Sequence, residues 1–312
     1  MEQILIGGID SVVGANVAAH LAESFRVIGA TSTSPVSIEG CETIVTADDA
    51  QAIRQAATRH RPERIVLCQA AGDSAWHRVG GWIASPAAIE SARTWTRTAS
   101  ELGIPVTLLS SDAVFTGPWM FHGETSDSLC SSIQARSLRT LENSTLEQAP
   151  KSLVVRTHAY GWSPVTDGSG WIEGIVAALE SEEPGIFDCA AHATPILATD
   201  LAEILPLCWG ASLSGIYHIA GAERVSPHRF VCALARIFDL AAPKGSTLAP
   251  AESAAAAFGQ GETSLRTRAV QRAVGRPMPM LVEGLERLLE QKNGGFDRRF
   301  RGSRRLATSK VA

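Results

Sequence analysis

Two kinds of chemistry are open to the residues of this chain: cradling a phosphate and carrying a proton. The first rests on Gly7-Gly8-Ile9-Asp10-Ser11-Val12-Val13-Gly14, which follows the apolar run Gln3-Ile4-Leu5-Ile6. Where a strand turns into a helix, backbone N–H groups and the positive end of the helix dipole are free, and glycines let a pyrophosphate come close. Gly8, Ser11, Val13 and Gly14 are therefore candidate cofactor contacts. Ser11 adds a side chain at the point of closest approach, and Asp10 sets a carboxylate beside an incoming anion. Either residue serves equally well as an N-cap with no ligand. A dinucleotide cradle and a capped structural turn both remain open, because the glycine pattern is incomplete.

Proton carriers are fewer. His122 and His158 can titrate near neutral pH, although a lone histidine is commonly just packed. Asp73, Ser74 and His77 make no credible hydrolytic triad, since no serine sits on a GxSxG turn and no order of partners emerges. The six cysteines are far apart, without metal-ligand spacing, and read as buried free thiols, so no metal is expected.

These residues need elements to hold them. The first half alternates apolar strand candidates at 2–7, 25–30, 64–70 and 105–110 with helix candidates near 12–24, 48–60 and 86–102. That alternation builds a parallel sheet covered on both faces, joined by right-handed crossovers. A helix at 133–148 and a strand at 152–156 continue it. The second half yields helices near 170–181, 198–208, 226–239 and 279–292, a short strand at 215–219, and a low-complexity stretch at 251–261. The expected fold is α/β, a Rossmann-type doubly wound parallel sheet over 1–160 with a smaller C-terminal substrate lobe over 161–293, part of which returns to the main sheet.

From Gly294 onward six cations face the single acid Asp297, so 294–312 reads as a basic flexible tail, the one place where nucleic acid or an acidic partner finds charge. The whole chain carries a formal charge of -4 and no apolar run long enough to span a bilayer. No membrane contact is expected, nucleic acid is not the expected partner of the body, and the location expected by default is cytoplasmic.

The second strand ends Gly29-Ala30-Thr31-Ser32-Thr33-Ser34. It has neither the acid that would hold an adenosine ribose nor the arginine that would hold a 2'-phosphate, so NAD specificity is not supported and hydroxyl contacts from Thr31 to a phosphorylated ribose stay open. Ala70 and Ala71, at the end of the 64–70 strand candidate, complete the candidate cofactor contacts. Asp48 opens a helix and is either an ordinary helix-start acid or a residue facing the adenine.

The stretch Val106-Thr107-Leu108-Leu109-Ser110-Ser111-Asp112-Ala113-Val114-Phe115-Thr116-Gly117 resembles the fourth-strand signature of the dTDP-4-dehydrorhamnose reductase type of extended short-chain dehydrogenase/reductase, usually ending STDYVFDG. Val155-Arg156-Thr157 with Tyr160-Gly161, Ala193-Thr194-Pro195 with Thr199-Asp200-Leu201-Ala202, and Gly215 to Gly221 follow in that family's order. So do Thr263 to Thr267 and Val274-Gly275-Arg276-Pro277. The resemblance covers about 2–292. It implies NADP or NAD as cofactor, a nucleotide-linked sugar as ligand in a cleft between two lobes, and a homodimer. Ser111, Arg156, Thr194 and Pro195 are its implied substrate contacts. His122, Glu124 and His158 are placed near the cleft, where Trp119, Phe121, Trp162 and Trp171 offer either stacking surface or ordinary packing.

The catalytic residues depart from the family. There a tyrosine and a lysine four residues later share one helix face, the lysine lowering the phenol's pKa so that it exchanges a proton with the substrate oxygen. The matching segment here runs from Gln134 to Glu142, so the tyrosine becomes Gln134 and the lysine Leu138. An amide does not titrate usefully and leucine carries no charge. The only tyrosines, Tyr160 and Tyr217, are followed four residues on by Pro164 and Gly221, so no such pair exists in the chain. Ser111, Glu124 and His158 are the remaining catalytic candidates. The expectation is a sugar-nucleotide- or dinucleotide-binding protein without this hydride chemistry, binding or regulatory in role and open to docking on a partner enzyme. An NAD(P)-dependent reductase or sugar-nucleotide-modifying enzyme with a non-standard proton donor is the alternative.

Overall fold

The computed structural model describes residues 1–32, 36–72, 74–77, 85–164, 170–181, 186–247, 258–296 and 298–300. In chain order the first half gives β1 (Gln3–Gly7), α1 (Val12–Leu21), β2 (Arg26–Thr31), β3 (Cys41–Val45), α2 (Ala50–His60), β4 (Arg64–Leu67), α3 (Pro86–Glu101), β5 (Val106–Ser111), α4 (Ile133–Gln148) and β6 (Leu153–Thr157). The second half adds β7 (Ala159–Tyr160), α5 (Trp171–Glu180), β8 (Ile186–Asp188), β9 (Ile196–Leu197), α6 (Ala198–Gly210), β10 (Gly215–His218), α7 (Pro227–Ile237), β11 (Gly245–Thr247), α8 (Arg268–Val274) and α9 (Leu281–Gly294). Short 3-10 turns at Gln69–Ala71 and Asp112–Val114 follow β4 and β5.

Seven strands form one parallel sheet in the order β10-β6-β5-β4-β1-β2-β3. The order reverses beside β1, and in open sheets of this kind ligands bind outside the strands' carboxyl ends at such a reversal. Alternation of side chains sends Ile4 and Ile6 into one core and Leu5 into the other, as it sends Leu153 and Val155 one way and Val154 the other. Both faces are buried, hence the unbroken apolar runs. Trp95 of α3 and Leu138 and Leu141 of α4 cover one face. Val13 and Val17 of α1 and Leu201 and Leu205 of α6 cover the other.

The second half returns to the sheet through β10, registered on β6 with Tyr217 opposite Val155. Two small parallel pairs, β8 with β11 and β7 with β9, lie apart from it. The strands of these small pairs carry no sequence reading, and neither do β3 and α8. β3 is a half-exposed edge strand, Cys-Glu-Thr-Ile-Val, and α8 is short. The 64–70 run ends as a strand at Leu67 and turns through Gln69–Ala71.

The start of the basic segment is docked. Phe300 is fully buried against Phe296, the Arg299 carbonyl accepts the Glu39 N–H at 3.0 Å, and the Arg299 guanidinium meets Glu23 at 2.9 Å. The rest of the tail and most of the 251–261 stretch lie outside the described residues. No helix among the described residues is long and apolar enough to cross a membrane.

Candidate functional site

The turn after β1 is built as a strand-to-helix cradle, and several of its donors are engaged within the chain. Gly8 adopts φ +76°, a conformation glycine takes without strain, and its N–H reaches the Ala30 carbonyl at 3.0 Å. Ser11 caps α1: its Oγ accepts the Gly14 N–H at 3.0 Å and donates to the Gly8 carbonyl at 2.7 Å. Gly14 lies so close to this turn that an added Cβ would sit 2.1 Å from the Gly8 oxygen. The Val13 N–H, which would otherwise point at a phosphate, donates to the Gly72 carbonyl at 2.8 Å. The Gln69 side chain lies over Gly7 and Gly8, its amide nitrogen 2.6 Å from where a Gly7 Cβ would be.

Asp48 does not cap α2; Asp49 does, accepting the Gln51 and Ala52 N–H groups at 3.0 and 2.9 Å. Asp48 instead accepts the Ser91 hydroxyl at 2.6 Å, and Ser91 in turn receives the Gln69 amide at 3.4 Å. Gly8, Asp10, Thr31, Asp48, Gln69 and Trp95 line a cavity of about 30 Å³, room for roughly two waters. Ala70 and Ala71 are buried in the 3-10 turn beside it. The Gln69 side chain and the Gly72 carbonyl thus border the glycine turn on its β4 side.

Further along the carboxyl edge, polar residues are committed to one another. Arg156 is bidentate to Glu142, Nε to Oε1 at 3.0 Å and Nη2 to Oε2 at 2.6 Å, with both side chains nearly enclosed. Ser110 donates to the same carboxylate at 2.6 Å, and Arg156 also reaches the Glu124 carbonyl at 3.2 Å and lies over the Phe115 ring. Ser111 accepts the Ala113 N–H at 3.1 Å and donates to Asp112 at 3.2 Å. Thr194 Oγ1 accepts the Leu265 N–H at 3.1 Å, and a Cβ on Gly221 would lie 2.2 Å from the Pro195 carbonyl oxygen. His122 stacks on Phe115 and bonds Ser126, and burial pushes its pKa down.

His158 lies with two residues that motif reading separates. Its Nδ1 is 2.9 Å from Asp112 Oδ2 and its Nε2 is 2.8 Å from Ser74 Oγ. Thr263, from the second half of the chain, donates to the same Asp112 oxygen at 2.5 Å. Asp112 falls within the fourth-strand motif, but His158 lies 46 residues from it and 84 residues from Ser74, so no local spacing announces the set. Gln69 and Gly72 carry no sequence signal either, and Thr263 is read only as part of a family motif. Asp73 lies outside the described residues, and His77 meets Ser74 only through its backbone N–H. No group of three or more metal-ligating side chains occurs among the described residues.

Of the two residues that the motif reading sets against the family's tyrosine and lysine, Gln134 is exposed near the start of α4 and Leu138 is fully buried in the core. Tyr160 is also buried, and burial together with the Asp200 carboxylate drives its phenol pKa far upward.

Solved structures with this fold include dTDP-4-dehydrorhamnose reductase from Bacillus anthracis in complex with NADP, at 19% identity and TM-score 0.74, covering 93% of this chain and 99% of that one. UDP-glucose 4-epimerase from Thermotoga maritima with UDP-glucose matches at 15% identity and TM-score 0.72, covering 94% and 99%. The Bordetella bronchiseptica enzyme WbmH in complex with NAD+ matches at 13% and 0.70, covering 94% and 99%. No protein of curated function matches the sequence. The sequence model of the RmlD substrate binding domain matches residues 1–293. With the motifs in order and the seven-stranded sheet behind them, the chain belongs to the RmlD substrate binding domain family.

Proposed function

We propose that this protein binds a nucleotide-linked sugar and does not perform the Tyr-Lys hydride chemistry of its reductase relatives, acting in a binding or regulatory role. The observation that carries the reading is the occupancy of the paired positions. Gln134 is exposed, Leu138 is core, and no tyrosine anywhere in the chain has a lysine four residues on. Neither existing tyrosine supplies the missing acid by another route: Tyr160 is enclosed with its pKa raised, and Tyr217 sits on β10. The solved relatives with UDP-glucose and NADP supply the ligand classes. The neighbours with NADP and NAD support the same cofactor class for this chain, with Gln69 lying over the glycine turn that would meet the diphosphate.

The alternative, a reductase with a non-standard proton donor, draws on Ser111, Glu124 or His158. The Ser111 hydroxyl is already shared between Ala113 and Asp112, and a serine hydroxyl is a far weaker acid than a phenol. Calorimetric titration with dTDP- and UDP-sugars, NADPH and NADH, alongside absorbance at 340 nm with a 4-keto sugar nucleotide, separates the two. Saturable sugar-nucleotide binding without NADPH oxidation is expected. Steady oxidation would sink the proposal, and so would silence across the sugar-nucleotide panel.

A further inference from the structure

The carboxyl ends of three adjacent strands converge on one serine, one histidine and one aspartate. β4 and its 3-10 turn deliver Ser74, β5 delivers Asp112 and β6 delivers His158. The distances are 2.8 Å from Ser74 Oγ to His158 Nε2 and 2.9 Å from His158 Nδ1 to Asp112 Oδ2. The His158 and Asp112 side chains are fully enclosed, and Ser74 keeps 4% of its surface exposed.

Hydrogen accounting gives the three residues distinct roles. A carboxylate accepts only, so the Asp112 contact fixes the proton of a neutral His158 on Nδ1 and leaves Nε2 as an acceptor. Ser74 Oγ accepts the Trp76 N–H at 3.2 Å, which leaves its own proton directed at Nε2. Asp112 is held in turn by the Thr263 hydroxyl at 2.5 Å and the Ser111 hydroxyl at 3.2 Å. The Trp76 ring lies against the imidazole with centroids 4.4 Å apart. A nucleophile–base–orienter set is recognised by such geometry and roles, and the chain order Ser, Asp, His is one that strand-end hydrolytic sites use.

We propose that Ser74, His158 and Asp112 form a nucleophilic relay acting on small carboxylic esters. Ser74 Oγ attacks the ester carbonyl carbon while its proton passes to His158 Nε2. The bond from the acyl carbon to the alcohol oxygen breaks, and His158 returns that proton to the departing alkoxide. Water then adds to the acyl-Ser74 through the same base, releasing the carboxylic acid and restoring the hydroxyl. This relay does not depend on the sugar-nucleotide reading.

The test treats full-length protein with phenylmethylsulfonyl fluoride and with p-nitrophenyl acetate, and maps any adduct by peptide mass spectrometry. Folded wild type is expected to be modified at Ser74 and urea-unfolded chain is not, a contrast that stands even where variants fold poorly. Ser74→Ala and His158→Gln should each lower ester turnover at least 100-fold, with folding checked by circular dichroism. An unmodified Ser74 in the folded protein, modification at a different residue, or a folded His158→Gln variant that reacts at the wild-type rate would overturn the relay and leave these contacts as a structural network.

Discussion

The Gln69 side chain is held in the nucleotide cradle by weak contacts. Its amide nitrogen reaches Ser91 over 3.4 Å, and its Oε1 is buried without a hydrogen-bond partner among the described residues. A bond that long contributes near the bottom of the ~0.5–1.5 kcal/mol range, whereas an unmade buried acceptor costs ~1–3 kcal/mol. Gln69→Ala also gives up the buried Cγ methylene, ~0.8 kcal/mol. These terms offset to within about 1 kcal/mol, so the variant should melt within a few degrees of wild type. Binding follows the same terms. A dinucleotide that displaces Gln69 gives up the bond and the methylene, together ~1.3 kcal/mol, and regains ~1–3 kcal/mol as the freed Oε1 is hydrated, so the displacement costs at most ~0.3 kcal/mol. NADPH should therefore bind the alanine variant within about twofold of wild type by calorimetry. A change of about tenfold or more in a variant that melts normally would refute the reasoning.

Glu142→Ala would leave Arg156 buried and uncompensated, and a loss of about 3–5 kcal/mol is expected in urea unfolding. His218 is fully buried, and burial, with the Arg156 charge as a second cause, pushes its pKa down to about 3. The unfolded chain takes up that proton below pH ~6.5, so this contribution to stability is complete above that pH. It falls by at most about 1.4 kcal/mol per pH unit toward pH 3. Thermal melts at pH 7.5 and 4.5 should show the loss, and His218→Phe should reduce the gap between them. Phe300→Ala should cost about 3–5 kcal/mol because it empties a fully buried aromatic site, and a chain ending at Gly294 should melt correspondingly lower.

The central strands were legible in the sequence because they are buried on both faces. Ile4, Leu5 and Ile6 form an unbroken apolar run for that reason, and the same holds for Ile65 to Leu67 and for Leu153 to Val155. β3 was not legible because an edge strand needs apolar residues on only part of its surface, and Glu42 and Thr43 dilute the signal. The glycine turn was legible, as was a cap at Asp10 or Ser11, of which the structure uses Ser11, since both are local features of strand-to-helix chemistry. What fills the turn was not, because Gln69 and Gly72 arrive from β4 and their contact with Gly7, Gly8 and Val13 exists only once β1 and β4 pair. Ser74 failed as a member of a local triad for the same reason: its histidine and aspartate come from other strands, brought within 3 Å by sheet order and not by spacing.

The Leu138 position shows why the missing pair is more than two exchanged side chains. Residues four apart share a helix face, yet Gln134 at the start of α4 is in solvent while Leu138 is packed in the core with Leu141, Val114 and Trp95. A lysine at 138 would place an ammonium among apolar neighbours, a burial that costs several kcal/mol unless a partner meets it. Glu142, one turn on, is the nearest carboxylate along the helix, and Arg156 and Ser110 already occupy it. Apolar Leu138 and the committed Glu142 are mutually consistent, since neither leaves an unpaired carboxylate to meet a buried ammonium on this face of α4.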